Sequence, residues 1–175
     1  MFAPKHLILA ACTACTLTIT PTLAQQHYNL GRPATPAEIA GWDIDVKADG
    51  TGLPKGRGTV AAGAAIFAEK CAACHGAKGE GSVANKLAGG AGTLNTAGAL
   101  KTVGSFWPYP TTLFDYIRRA MPHNAPQSLK ADEVYSLTAF ILNVNGVIDA
   151  KAEMNQTTLP KVQMPNRGGF KQVVD

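Results

Sequence analysis

Cys71-Ala72-Ala73-Cys74-His75 forms a C-x-x-C-H run, the attachment signature for covalent haem. Two cysteines one helical turn apart put both sulfurs on one face, where they can clamp one edge of a porphyrin through thioether bonds. The imidazole that follows can then reach the metal. A redox dithiol or half of a zinc site uses the same C-x-x-C spacing. Zinc would need a second pair of ligands, and beyond Cys71 and Cys74 the only cysteines are Cys12 and Cys15. A dithiol leaves His75 unused and calls for a βαβ pattern that the chain lacks. The run therefore predicts one covalent haem c, anchored by Cys71 and Cys74, with His75 on the iron.

The N-terminus reads as an export signal over residues 1–24. Lys5 supplies the charged start, residues 7–20 the apolar core, and Thr22-Leu23-Ala24 a small-residue cleavage site. That core is too short and too rich in threonine to span a bilayer, and no later stretch is longer, so no membrane span is expected. Leu9-Ala10-Ala11-Cys12 also resembles a bacterial lipoprotein box, which would acylate Cys12. Cys12 and Cys15 are followed by Thr16 rather than histidine, so they cannot form a second haem site. Export to the periplasm fits the chemistry, because bacteria attach c-type haem outside the cytoplasm. Losing Lys5 with the signal leaves 15 Lys and Arg (16 less one) against 12 Asp and Glu. So weak a charge, with no basic stripe, excludes nucleic acid as a partner.

Residues 25–58 read as an N-terminal arm. Thr35-Pro36-Ala37-Glu38 combines an N-cap, a first-turn proline and a capping-box acid, predicting a short helix that reaches Trp42. Trp42 to Val46 alternates apolar and acidic residues, as an extended piece does, and residues 49–58 are a glycine-rich loop. The arm either wraps the haem domain or offers a surface to a partner; His27 has no expected role.

Residues 59–146 form the predicted haem domain. Val60, Ala64, Phe67 and Cys71 lie on one face of a helix leading into the haem site. Gly63 on the same side costs about 1 kcal/mol against alanine inside a helix, which predicts close approach by a second helix. The candidate is residues 131–145, with Val134, Leu137, Ile141 and Val144 as a core stripe, Phe140 beside it, Asp132 and Glu133 in its first turn, and Gly146 as its C-cap. The glycine-rich residues 76–104 must run around the haem edge, and one carbonyl should accept the Nδ1 proton of His75. A further helix is expected over residues 112–120, with Thr112 and Asp115 as a capping box and Leu113, Tyr116, Ile117 and Ala120 facing inward. Trp107 and Tyr109 read first as core packing, although a buried indole or phenol needs a hydrogen-bond partner, and a haem propionate is one acceptor. Arg118 or Arg119 could pair with a propionate in the same way.

The sixth iron ligand decides the chemistry: histidine with methionine makes an electron carrier, whereas an open position permits catalysis. Met121 is the candidate, because Pro122 ends the preceding helix and would present the thioether from a chain reversal. His123 is the local rival; Met154 and Met164 would have to fold back from the tail, residues 147–175, which is extended and punctuated by prolines. Without a ligand role Met121 is core filling.

Gly63, Phe67, Cys71, Cys74 and His75, then Met121-Pro122, then Leu137 and Phe140 resemble class I cytochromes c. The resemblance implies an all-α fold with crossing N- and C-terminal helices around one haem, and His75 and Met121 as axial ligands. A narrower resemblance rests on Gly31-Arg32-Pro33-Ala34-Thr35, on Thr102-Val103-Gly104-Ser105-Phe106-Trp107-Pro108-Tyr109, on residues 113–122, on Ala125-Pro126-Gln127-Ser128-Leu129 and on Met164-Pro165-Asn166-Arg167. These look like the cytochrome partners of periplasmic sulfite/sulfane dehydrogenases, the SoxD-like group. That group implies a molybdenum-cofactor subunit as electron donor and a downstream cytochrome or oxidase as acceptor. SoxD itself carries two haems, whereas this sequence has one C-x-x-C-H after the signal. The expected function is single-electron carriage rather than enzymatic turnover. The alternative is a haem catalyst with an open iron, oxidising a sulfur compound or reducing peroxide.

Overall fold

A computed structural model describes residues 30–171. The expected signal, Cys12, Cys15 and His27 lie outside the described residues. The chain divides into two units, Met1–Ala34 and Thr35–Asp175. The second unit carries α1 (Pro36–Trp42), β1 (Arg57–Thr59), α2 (Val60–Lys70), α3 (Ala72–His75), α4 (Pro110–Ala120), α5 (Ala131–Val144), β2 (Glu153–Asn155) and a 3-10 turn (Leu159–Lys161). The fold is all-α as expected, apart from the antiparallel ribbon in which Gly58 faces Met154.

The crossing of α2 and α5 forms the centre. Thr59 caps α2 by accepting from the Ala62 N–H (3.3 Å). Val60, Gly63 and Phe67 are the buried face of that helix. A Cβ on Gly63 would overlap the Ser136 carbonyl of α5 and crowd Phe140, so only glycine permits this approach. The Phe67 and Phe140 rings meet at 4.9 Å, a contact that adds about 0.5–1.5 kcal/mol beyond area burial. At its far end α5 closes in a Schellman motif: Val147 N–H donates to Leu142 O, Gly146 N–H donates to Asn143 O, and Gly146 has φ +69°.

Two expectations for the helices are corrected. Helix α5 is buried well beyond a stripe, since Tyr135, Ser136, Thr138, Ala139 and Leu142 are also inside. The reason is that the arms cover its outer side: Tyr135 donates to the Pro54 carbonyl (2.9 Å), and Met154, Leu159 and Met164 join the same core. Burial pushes the Tyr135 phenol up to about 12. Helix α4 begins at Pro110, with Tyr109 as N-cap, so Thr112 and Asp115 form no capping box. Its inner face is accordingly Leu113, Phe114 and Ile117, while Tyr116 is 50 % exposed. Phe114 packs on Tyr135 with ring centroids 4.5 Å apart.

Asp115, freed from capping, serves the N-terminal arm instead. It accepts from the Val46 N–H (3.0 Å) and pairs with Arg119 (3.0 Å). Thr111 donates to Ala48 O, Arg118 to Ile44 O and Arg119 to Asp45, so residues 44–48 are strapped along α4. The tail is fixed comparably, by the β1–β2 ribbon, by Asn166 donating to Phe106 O (2.7 Å) and by Arg167 over the Tyr109 ring (4.5 Å).

Gly63→Ala should lower the unfolding free energy by about 1–3 kcal/mol, because α2 and α5 must move apart. Gly41→Ala, inside α1 with nothing within 4 Å of the added carbon, should show no such loss in a urea titration and gain up to about 1 kcal/mol. Asp115→Ala should cost about 1–3 kcal/mol by leaving the Val46 N–H without its acceptor. Limited proteolysis of that variant should cut within residues 43–50 sooner than in wild type.

Candidate haem site

Helix α2 delivers Cys71 as its C-cap, and the single turn of α3 then carries Cys74 and His75. The turn closes through Cys74 N–H and His75 N–H, both donating to Cys71 O (3.1 and 3.0 Å). Cys71 is half-buried and Cys74 exposed. Burial pushes the Cys71 thiol up to about 11, against an opposing pull from Lys70. Among the described residues no group of three His, Cys, Asp or Glu could hold a metal ion.

His75 is held by a backbone carbonyl. Its Nδ1 lies 2.8 Å from Asn85 O. A carbonyl can only accept, so Nδ1 carries the proton and Nε2 keeps its lone pair for a metal. The expected carbonyl is thus that of Asn85. The loop bearing it is laced to the haem-attachment turn by Ala84 N–H to Cys74 O (2.9 Å) and Gly81 N–H to His75 O (2.7 Å).

Met121 is the C-cap of α4, in extended conformation and half-buried, with its N–H donating to Ile117 O. Cys71, Ala72, Leu87, Trp107 and Met121 all pack against one apolar cluster. Of the rival groups, His123 is exposed, while Met154 and Met164 are buried at 4 % and 3 % exposure in the core.

The three propionate candidates each have a contact within the protein. Trp107 meets Tyr116 edge-on at 5.8 Å, Tyr109 lies under Arg167, and Arg118 donates to Ile44 O. Sequence reasoning assigned no site role to Asn145 or Thr102, whose side chains anchor the loop behind His75. Asn145 had one legible signal, an amide at a helix end directly before a C-cap glycine. Asn85 had none, because it contributes only its backbone oxygen.

These residues fit haem: two sulfurs on one helical turn, an imidazole with the correct nitrogen free, and a thioether presented from a helix end. Among the described residues no helix is long and apolar enough to cross a membrane. The cytochrome c family model matches residues 60–145. Among solved structures, the sulfane dehydrogenase SoxCD from Paracoccus pantotrophus matches with 43 % identity and a TM-score of 0.78, covering 82 % of this chain and 71 % of that chain. Thiosulfate dehydrogenase TsdBA from Marichromatium purpuratum is 28 % identical over 48 % of this chain and 17 % of that one, and its TM-score of 0.37 carries no weight for the fold. No curated protein sequence matches. The chain, built around a C-x-x-C-H turn and a crossed helix pair, belongs to the cytochrome c family, and its cofactor is covalently bound haem c.

Proposed function

We propose that this protein is a periplasmic monohaem cytochrome. It would accept single electrons from a molybdenum-cofactor sulfite or sulfane dehydrogenase subunit and pass them to a downstream cytochrome or oxidase. The observation that carries the reading is His75, whose Nδ1 is committed to Asn85 O on the same helical turn as Cys74. The likeness to SoxCD supports the choice of partner.

Haem c, when bound, supplies an iron that changes by one electron without proton chemistry. Cys71 and Cys74 would anchor it, and His75 Nε2 and the Met121 sulfur would hold its iron. His75 is kept in one orientation by Asn85 O. Met121 is kept at the end of α4, a helix braced by residues 44–48 and packed on α5. Ligands held on braced elements move little between oxidation states, which favours fast electron exchange. Ala73 and Ala77 are exposed beside the anchors, so a partner's surface can approach closely at that edge. Trp107, Tyr109 and Arg118 remain in the proposal as groups near the propionates, alongside the contacts they already make.

Met121→Ala should keep its covalent haem, lower the reduction potential and turn a reduced protein that does not bind carbon monoxide into one that binds it nearly stoichiometrically. Unchanged ligation and potential would remove Met121 from the site. For the partner, affinity isolation of the native protein from periplasmic extract should recover a molybdenum protein, and adding sulfite should reduce the haem. Recovery of the cytochrome alone, unreduced by sulfite plus extract, would contradict the sulfur reading.

A further inference from the structure

The side-chain amide of Asn145 is shared three ways. Its Nδ2 donates to Leu87 O (3.1 Å) and to Ile141 O (2.8 Å), and its Oδ1 accepts from the Gly89 N–H (3.2 Å). The opposite orientation of the amide would set oxygen against two carbonyls, so this arrangement is the only satisfied one. Asn145 reaches the loop because the neighbouring backbone has no side chain in the way: a Cβ on Gly104 would overlap the amide. The same loop is held from its other side, where Thr102 Oγ1 donates to Gly89 O (2.6 Å) and the Val103 N–H donates to Leu87 O (3.3 Å). Two residues before Leu87 in the chain is Asn85, whose carbonyl takes the Nδ1 proton of His75.

We propose that Asn145 is a positioning residue for the haem iron: from the end of α5 it pins the 87–89 segment so that Asn85 O stays on His75 Nδ1. The proposal rests on the reading of His75 as an iron ligand. A carbonyl fixed on Nδ1 draws on that proton and makes Nε2 a stronger donor, which stabilises the oxidised iron. Aspartate could keep only the bond from Gly89 and would face two carbonyls with a charge. Leucine would keep none. Asparagine alone among residues of this length supplies both donor and acceptor.

The test compares Asn145→Ala with Asn143→Ala in the haem-loaded, full-length protein. Asn143 is two residues away and also spends its amide at this helix end, on Ile148 O (2.9 Å), but it does not touch the loop. Two readouts are taken, exchange of the His75 Nδ1 proton in the reduced protein by nuclear magnetic resonance, and the reduction potential. Asn145→Ala should speed the exchange about five- to tenfold, the effect of losing one net hydrogen bond, and raise the potential. Asn143→Ala should leave both at wild-type values while lowering stability. If Asn145→Ala does not load haem, Thr102→Val releases the same loop from its other side and should move both readouts in the same directions. Wild-type exchange in the loop variants, or equal shifts in Asn145→Ala and Asn143→Ala, would overturn the role. Wild-type His75 ring protons without the ring-current shift of an iron ligand would overturn the ligand reading itself, separately from Asn145.

Discussion

Gly63 against the backbone of Ser136 is the contact on which the Cys71 and His75 side of the haem site depends. It brings α2 and α5 together at backbone distance, and each helix then ends at the site. Helix α2 runs out into Cys71 and the attachment turn. Helix α5 runs out into Asn145, which holds the loop behind His75. A small change in the crossing would therefore move an anchor and a brace together. The stabilisation is mostly apolar: Phe67, Leu137 and Ile141 are buried at 4 % exposure or less, and each such side chain contributes about 1.5–3 kcal/mol when fully buried. The polar contacts around His75 contribute less energy and more geometry.

The Met121 side is organised differently. Nothing like the Gly63 crossing supports α4; its outer surface is braced by residues 44–48. The exposed Arg119–Asp45 pair is worth about 0–1 kcal/mol, as surface ion pairs are. Asp115 matters more, since its side chain is only 15 % exposed and it accepts a backbone N–H. The arm and the tail also complete the burial of α5 through Pro54, Met154 and Leu159. They are thus parts of the core as well as surface. Helix α1 is the exception, capped by Thr35 and Glu38 yet burying no residue of its own.

Legibility followed the range of the interaction. Local chemistry was plain: the attachment run, the Thr35 capping box, the Gly146 helix stop and the apolar periods of α2 and α5. The Gly63 crossing was also readable, because a glycine inside a helix needs a packing reason. Helix α4 misled because Thr112 and Asp115 have capping-box spacing, while the helix starts earlier, at Pro110, and Phe114 rather than Tyr116 faces inward. The strap on α4 was hidden because it joins residues about 70 positions apart through backbone groups that carry no side-chain signature. Asn85 was hidden for the same reason. A carbonyl has the same chemistry at every position, and only the fold selects one.

The central proposal is that His75 and Met121 would both hold the iron, leaving it to carry electrons rather than bind a substrate. Exposure of the dithionite-reduced native protein to carbon monoxide tests it most directly. The account predicts a visible spectrum unchanged by the gas. Immediate formation of a carbonyl complex, at stoichiometry near one per haem, would show an open iron position and favour haem catalysis over electron carriage.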